Sequence, residues 1–414
     1  MLAGQPRNLF LDNPLPPASR AAITATLPVT LLMQAASSAA TIAPAVAAPV
    51  LLPALGLGTV AVGVFVATVY LAAMVSSQWA ATLVQRWGPI RTSQVALAFS
   101  AAGVLLVSVP QPAVALLGAV LTGLGYGPIT PASSQMLART TAPERIALVF
   151  SIKQTGVPLG GAVAGLAVPV GLAFGGAGMA LGQIAVLCLA SALLAEPLRR
   201  SLDALRARHS PLPGLAQLTR PIRFVLAHGA LRALAFCSFV FSAVQICLTS
   251  YLVTFLHGDL GWSVVAAGVA LSAAQGAGVA GRVLWGLVAD RFGSRGTLLG
   301  LGVAMALAGI TMGLLRADTS HALVTVLLLA YGSTAVGWNG VYLATVAKLV
   351  PHEQAAIATA GSLFFTFFGV VIGPPLFGAA GGAFGSLGLA FALLALPLGW
   401  TTWSLASGKQ TGFR

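Results

Sequence analysis

Negative charge is scarce in this sequence: eight Asp and Glu among 414 residues, against 21 Lys and Arg. Charged residues of either sign make up only 7%, where a soluble globular domain carries about 25%. Cysteine is scarce too. Cys188, Cys237 and Cys247 all fall in apolar runs without disulfide or metal spacing, which reads as apolar packing. No phosphate-binding loop of the form G-x-x-x-x-G-K-S/T is present, and no polar stretch is long enough to hold an ATPase, so any transport would be secondary. Buried acid–base pairs, activated nucleophiles and metal clusters are also missing, which argues against an enzyme; no cofactor or metal is expected.

What the chain does have is apolar length. Hydrophobic residues make up 57% and the mean hydropathy is +0.94. Runs of roughly 20 apolar residues, long enough to cross a hydrocarbon core of about 30 Å, recur throughout. Twelve spans are expected near 22–48, 57–83, 91–109, 112–137, 146–172, 177–195, 228–256, 263–289, 296–315, 321–347, 355–379 and 385–405. All read as helices, since a lone strand cannot satisfy its backbone in lipid and no barrel alternation appears. Gly (48) and Pro (24) suit close helix packing.

The net charge of +13 does not point to nucleic acid, because the basic residues cluster in alternate loops. With both termini and every even-to-odd loop in the cytoplasm, 18 of the 21 Lys and Arg lie on that side. Arg316 lies outside, and Lys153 and Arg282 lie within spans. Residues 1–21 read as a cytoplasmic tail and not a cleaved signal, 22–195 as one half, 196–227 as a cytoplasmic linker, 228–405 as the second half and 406–414 as a cytoplasmic tail. The linker carries Arg199, Arg200, Arg206, Arg208, Arg220 and Arg223 and is expected to lie on the membrane surface. The halves repeat weakly: Arg86-Trp-Gly-Pro-Ile-Arg91 after span 2 matches Arg291-Phe-Gly293-Ser-Arg295 after span 8, and Arg139…Pro143-Glu144-Arg145 matches Lys348…Pro351-His352-Glu353.

The stretch Gly286, Ala289, Asp290, Arg291, Gly293, Arg295 lies between two apolar runs. It resembles the loop signature G-x-L-A-D-R-x-G-R-K of the major facilitator superfamily, with Ser294 replacing the first basic residue. The first-half copy has Gln85 at the aspartate position and Ala81 at the leading glycine. The resemblance implies an all-α membrane fold of two pseudo-symmetric six-helix halves, alternating access, and a substrate held between the halves near mid-membrane. Gate or conformational roles would then fall to Asp290, Arg291, Gly293, Arg295, Gly286, Arg86 and Arg91. Asp290 would pair with loop arginines or with the N-terminus of span 5. Gly156-Val-Pro158-Leu-Gly160-Gly161 resembles the glycine-proline signature of family antiporters with imperfect spacing, and Gly373-Pro374-Pro375 is its rough counterpart.

No acidic residue falls deep in a span, and Ala119 stands where proton-linked exporters carry a span-4 arginine, which argues against proton-driven export of cations. The charges that do lie inside are Arg282 and Lys153, each about seven residues from its cytoplasmic span end, hence roughly 10 Å deep. The pattern Arg282-x-x-x-Gly286-x-x-Ala289-Asp290 resembles the span-8 arginine of oxalate–formate antiporters and monocarboxylate transporters, where it contacts the carboxylate. Val283 replaces the usual following proline, and Gly278 stands where monocarboxylate transporters place an aspartate. An anion between Arg282 and Lys153 would relieve their repulsion. The bland alternatives are a gate arginine bonded to span-end carbonyls and a snorkelling lysine. Further cavity candidates are Gln34, Tyr70, Tyr126, Gln154, Gln245, Gln275, Trp338, Asn339 and Tyr342, each of which could equally be packing glue.

The expectation is a monomeric secondary transporter of a small organic anion, a carboxylate, in a bacterial inner membrane, with the bilayer and the substrate as its partners. Rivals are an exporter of neutral or lipophilic compounds and, from another class, a non-transporting sensor on a transporter fold.

Overall fold

The computed structural model describes residues 20–141, 145–204, 215–350 and 354–407. The outer parts of both expected tails, linker residues 205–214, and the Pro143-Glu144 and Pro351-His352-Glu353 repeat elements lie outside the described residues. Among the described residues every regular element is a helix, and eleven stretches are long and apolar enough to cross a membrane. They are α1 (Arg20–Val46), α3 (Val60–Trp87), α4 (Pro89–Val107), α5 (Pro112–Thr140), α6 with α7 (Ile146–Gln154, Gly156–Leu194), α10 (Gly229–Gly258), α11 (Val264–Phe292), α12 (Ser294–Leu314), α13 with α14 (His321–Gly337, Asn339–Lys348), α15 (Ala355–Phe384), and α16 with α17 (Leu387–Leu393, Ala395–Ser407). Three short helices remain: α2 (Ala48–Leu55), α8 (Glu196–Leu202) and α9 (Leu215–Ala227).

The expected count of twelve differs from eleven at one place. The apolar stretch Ile152–Leu194 has 43 residues, about 65 Å if straight, twice a hydrocarbon core. It is not straight. Gly175 and Gly176 have non-helical dihedrals, and Gly176 has φ 67°, a conformation open to glycine. The side-chain amide of Gln183 donates to the Ala167 carbonyl, and Gly171 packs against the Ala180 backbone. Residues 16 apart in sequence meet only if the chain doubles back, so α7 comprises two antiparallel arms.

The links at the end bearing α8 and α9 are shorter than expected. Gly88 (φ 90°) alone separates α3 from α4, and Gly293 (φ 85°) alone separates α11 from α12. Asp290 and Arg291, expected in a turn, therefore lie in the last turn of α11, and Arg295 lies in the first turn of α12. Both glycines hold a positive φ that other residues adopt only with strain, and at Gly88 a Cβ would also run into the Asp203 side chain. At the opposite end, Ser263, Ser320 and Ser386 cap α11, α13 and α16 through their hydroxyls.

Helices on the two sides of the linker, called here the first and second halves, touch through α3 with α15, α7 with α11, and α1 with α10. Their closest approaches lie toward the end opposite α8 and α9. A Cβ on Gly63 would lie 2.4 Å from the Pro374 carbonyl oxygen, and one on Gly268 would lie 2.2 Å from that of Gly165. The Ser272 hydroxyl donates to Ala162 O (2.8 Å), and the Tyr251 hydroxyl lies 2.9 Å from Pro374 O and 3.3 Å from Thr59 O. That end is closed by backbone packed on backbone.

Candidate functional site

At two places the helical hydrogen-bond ladder breaks while the backbone dihedrals stay helical, and Arg282 reaches both. One separates α6 from α7 at Thr155; the other separates α13 from α14 at Trp338. The first has a sequence cause. A helical carbonyl accepts from the N–H four residues on, and for Gln154 that residue is Pro158, which has none. The vacant carbonyl is taken by Arg282: Nη1 donates to Gln154 O at 2.7 Å across the half interface, and Nε donates to Val336 O at 3.3 Å beside the second interruption.

Lys153 is buried at 1% exposure. Its Nζ donates to Thr130 Oγ1 (3.4 Å) and to Gln154 Oε1 (3.3 Å). The Thr130 hydroxyl in turn donates to Gln34 Oε1 (3.0 Å). Gln34 is fully buried, and its Nε2 has no hydrogen-bond partner. Thr130 is exposed, while Gln154 and Arg282 are half-buried, so the cluster borders open space rather than a sealed core. Four of the expected residues, Arg282, Lys153, Gln154 and Gln34, are thus brought together from α11, α6 and α1. Among the described residues neither cation has an ion-pair partner. Hydrogen bonds to neutral oxygens recover part of the desolvation cost of a buried cation but leave its charge uncompensated.

Tyr126 stands within electrostatic reach of Arg282, and its ring meets Tyr70 edge to face at 5.6 Å. Across the interface, Gln245 Oε1 accepts from Trp338 Nε1 (3.0 Å) and Asn339 Nδ2 (3.2 Å). Trp338 and Tyr342 are fully buried and pack edge to face at 5.4 Å, with Phe241 against Trp338 at 5.6 Å. Tyr342 lies near Ser238, Ser362 and Thr366. Gln275 is buried against Gly161, nearer the closed end. An apolar cavity of about 510 Å³ between Pro44, Leu52, Phe65, Val107, Pro112 and Leu116 lies elsewhere and is lined by apolar side chains.

The residues assigned to gating separate into distinct roles. Asp290 is exposed and makes no hydrogen bond or ion pair with a described residue. Arg291 and Gly286 lie along the same last turns of α11, Arg291 with its guanidinium 5.7 Å from the Phe292 ring. Arg295 donates to the carbonyls of Leu405 (2.7 and 3.1 Å) and Ala406 (3.2 Å), a cation at the C-terminus of α17. Arg86 is exposed at the end of α3, and Arg91 bonds Gln94 (3.3 Å) in the first turn of α4.

Sequence reasoning missed two residues. Thr130 joins Lys153 to Gln34; a hydroxyl in the run Gly-Pro-Ile-Thr130-Pro was its only signal. Asp203, from the start of the linker, accepts from Ile90 N (2.8 Å) and Arg91 N (3.1 Å) and so caps α4 where the loop copy with Gln85 has no carboxylate. Arg139 Nη1 donates to the adjacent Leu202 carbonyl (2.5 Å). Beside it, Gln94 donates to Glu196 (2.8 Å) and Arg199 pairs with it (2.6 Å), which together lower the Glu196 carboxyl below its ordinary value.

With this geometry in hand, the chain can be set against known proteins. Over 266 residues, 62% of its length, it is 28% identical to the uncharacterized MFS-type transporter MT3072 of Mycobacterium tuberculosis (strain CDC 1551 / Oshkosh), and the match spans 56% of that relative. Solved structures that share its fold include two transporters. The nucleoside transporter NupG has a TM-score of 0.77 at 14% identity, covering 94% of this chain and all of that one. A bacterial homolog to the human lysosomal transporter Spinster, inward-facing and unoccupied, has a TM-score of 0.71 at 17% identity, covering 94% and 95%. Residues 30–374 match the sequence profile of the Major Facilitator Superfamily, and the chain belongs to that family.

Proposed function

We propose that this protein carries a small organic anion, a carboxylate, across a bacterial cytoplasmic membrane by alternating access between residues 22–195 and 228–405, with both termini cytoplasmic. Secondary transport follows the family. The anionic substrate rests on one observation: Arg282 and Lys153 converge on Gln154 between the halves, with hydrogen bonds to neutral oxygens and no carboxylate against either. An anion entering there would replace neutral acceptors with charged ones and bring cations from both halves onto one ligand. Arg282 offers a planar fork suited to a carboxylate, and Lys153 a point charge. Gln34, Gln245 and Asn339 would supply neutral contacts, with Tyr70, Tyr126, Gln275, Trp338 and Tyr342 shaping the space around them.

The test is thermal stability of purified protein in detergent against acetate, oxalate, succinate, inorganic phosphate and lipophilic drugs. A ligand bound only by the native state raises the unfolding temperature by mass action. Stabilisation by a carboxylate in the wild type, lost in Arg282→Ala, is the expected result. Stabilisation only by uncharged compounds, equal in both proteins, would overturn it. That outcome favours export of neutral or lipophilic compounds. The reading has its own support, since both hydrogen bonds of Arg282 go to backbone carbonyls, as a purely structural arginine would place them.

A further inference from the structure

Gln154 meets both cations at once. Its backbone oxygen takes Arg282 Nη1 at 2.7 Å, and its side-chain oxygen takes Lys153 Nζ at 3.3 Å. The two acceptors differ in kind. The backbone oxygen is fixed by the α6–α7 interruption and left vacant by Pro158. The side-chain oxygen sits on a half-buried, rotatable side chain at the edge of open space. One residue thus supplies an acceptor to each of the two cations.

We propose that Gln154 is a built-in competitor of the substrate: its oxygens hold Arg282 and Lys153 in the empty protein, and the anion displaces its side chain to bind. This deepens the anion reading above and rests on it. Gln154 thereby sets affinity without being a lasting ligand. Its amide dipole is weak enough to be displaced by a carboxylate, since hydrogen bonds to ionised acceptors are about twice as strong as neutral ones. The chain Lys153–Thr130–Gln34 keeps the ammonium in place when the amide leaves, because Thr130 remains as acceptor. The bound anion also competes with the fixed Gln154 carbonyl for Arg282, so that span 8 and span 5 become joined through the substrate.

The experiment measures binding of acetate, oxalate, succinate and inorganic phosphate to the full-length protein in detergent by calorimetry, alongside the ligand-free unfolding temperature. In Gln154→Ala, with the competitor gone, the anion bound by the wild type should bind about fivefold tighter. In Gln154→Glu, an ionised carboxylate takes the same place; anion binding should be lost and the ligand-free unfolding temperature should rise. A merely structural glutamine would not move these two readouts in opposite directions. Unchanged or weaker binding in Gln154→Ala makes Gln154 a bystander or an ordinary ligand and overturns the inference, as does wild-type binding in Gln154→Glu. If Gln154→Ala is not recovered folded, Gln154→Met, which keeps the length without the acceptor, carries the same expectation. Wild-type protein that binds none of the four anions overturns the anion reading and this inference with it, an outcome distinct from failure of the variants alone.

Discussion

A methyl group at Gly268 tests which state of the molecule the structure represents. A Cβ there would lie 2.2 Å from the Gly165 carbonyl oxygen and 2.6 Å from Pro169 Cγ, where ordinary contact begins near 3.4 Å. α7 and α11 would have to part by about 1.2 Å at this level, the difference between 3.4 and 2.2 Å. The obstacle is backbone, which cannot swing aside as a side chain would. Overpacking of this kind costs roughly 1–3 kcal/mol. Alanine favours a helix over glycine by about 1 kcal/mol, but that gain applies equally whether the halves are closed or open at this end, so it does not bias the two. The clash exists only while the end opposite α8 and α9 is closed. Gly268→Ala should therefore shift the equilibrium toward opening there by about tenfold, which corresponds to about 1.4 kcal/mol, in the lower part of that range. Spin labels at Leu57→Cys and Phe384→Cys, both exposed and on opposite halves, would read the change as a longer interlabel distance. The three native cysteines are buried and should not take label. A distance distribution that overlays that of the glycine parent, in folded protein, would refute the assignment of this contact to one state.

Asp203→Asn should lower the unfolding temperature through loss of a charged cap on α4, a cost of about 1–2 kcal/mol, and thermal unfolding in detergent checks it. Asp259→Ala should cost less, about 0.5–1 kcal/mol by the same assay, because the carboxylate that accepts from Leu387 N (2.9 Å) and Gly388 N (3.3 Å) is exposed. Glu196, held below its ordinary value first by Gln94 and then by Arg199, should contribute stability that is complete above its unfolded value and fades as the pH falls through the lower folded one. Glu196→Gln should flatten that acid limb of the unfolding temperature without altering the plateau shape above it. Trp285→Phe, which removes the Nε1 bond to Ser333 O (2.9 Å), should destabilise by about 1 kcal/mol, again by thermal unfolding.

The spans were legible because lipid demands long apolar helices, and helix ends fall within a few residues of the expected ones in most cases. The breaks at Thr155 and Trp338 were not, since both sit inside longer apolar stretches that read as single spans. Pro158 was visible as a kink residue. Its effect, a vacant carbonyl four positions earlier, gains meaning only when Arg282 from a helix 128 residues away is seen to fill it. The convergence of Arg282 and Lys153 was readable from depth and topology, whereas Thr130 between Lys153 and Gln34 was hidden as one hydroxyl among many. For Asp290 the motif was plain but a motif does not give a partner, and at the first-half copy of that loop a carboxylate cap on α4 comes from Asp203, in the linker expected to lie on the membrane surface.

The one-residue links at Gly88 and Gly293 have a consequence for what the gene can tolerate. With a single non-helical residue reversing the chain, a residue added to or lost from either link has to be absorbed by unwinding a helix end or displacing the following helix. Ordinary loops absorb such length changes as slack. Here there is none, and each pair of helices, α3 with α4 and α11 with α12, is geared together like two arms on one axle. Epitopes, linkers and split points placed at these glycines should be lethal to the fold, even though both lie outside the apolar core of their spans.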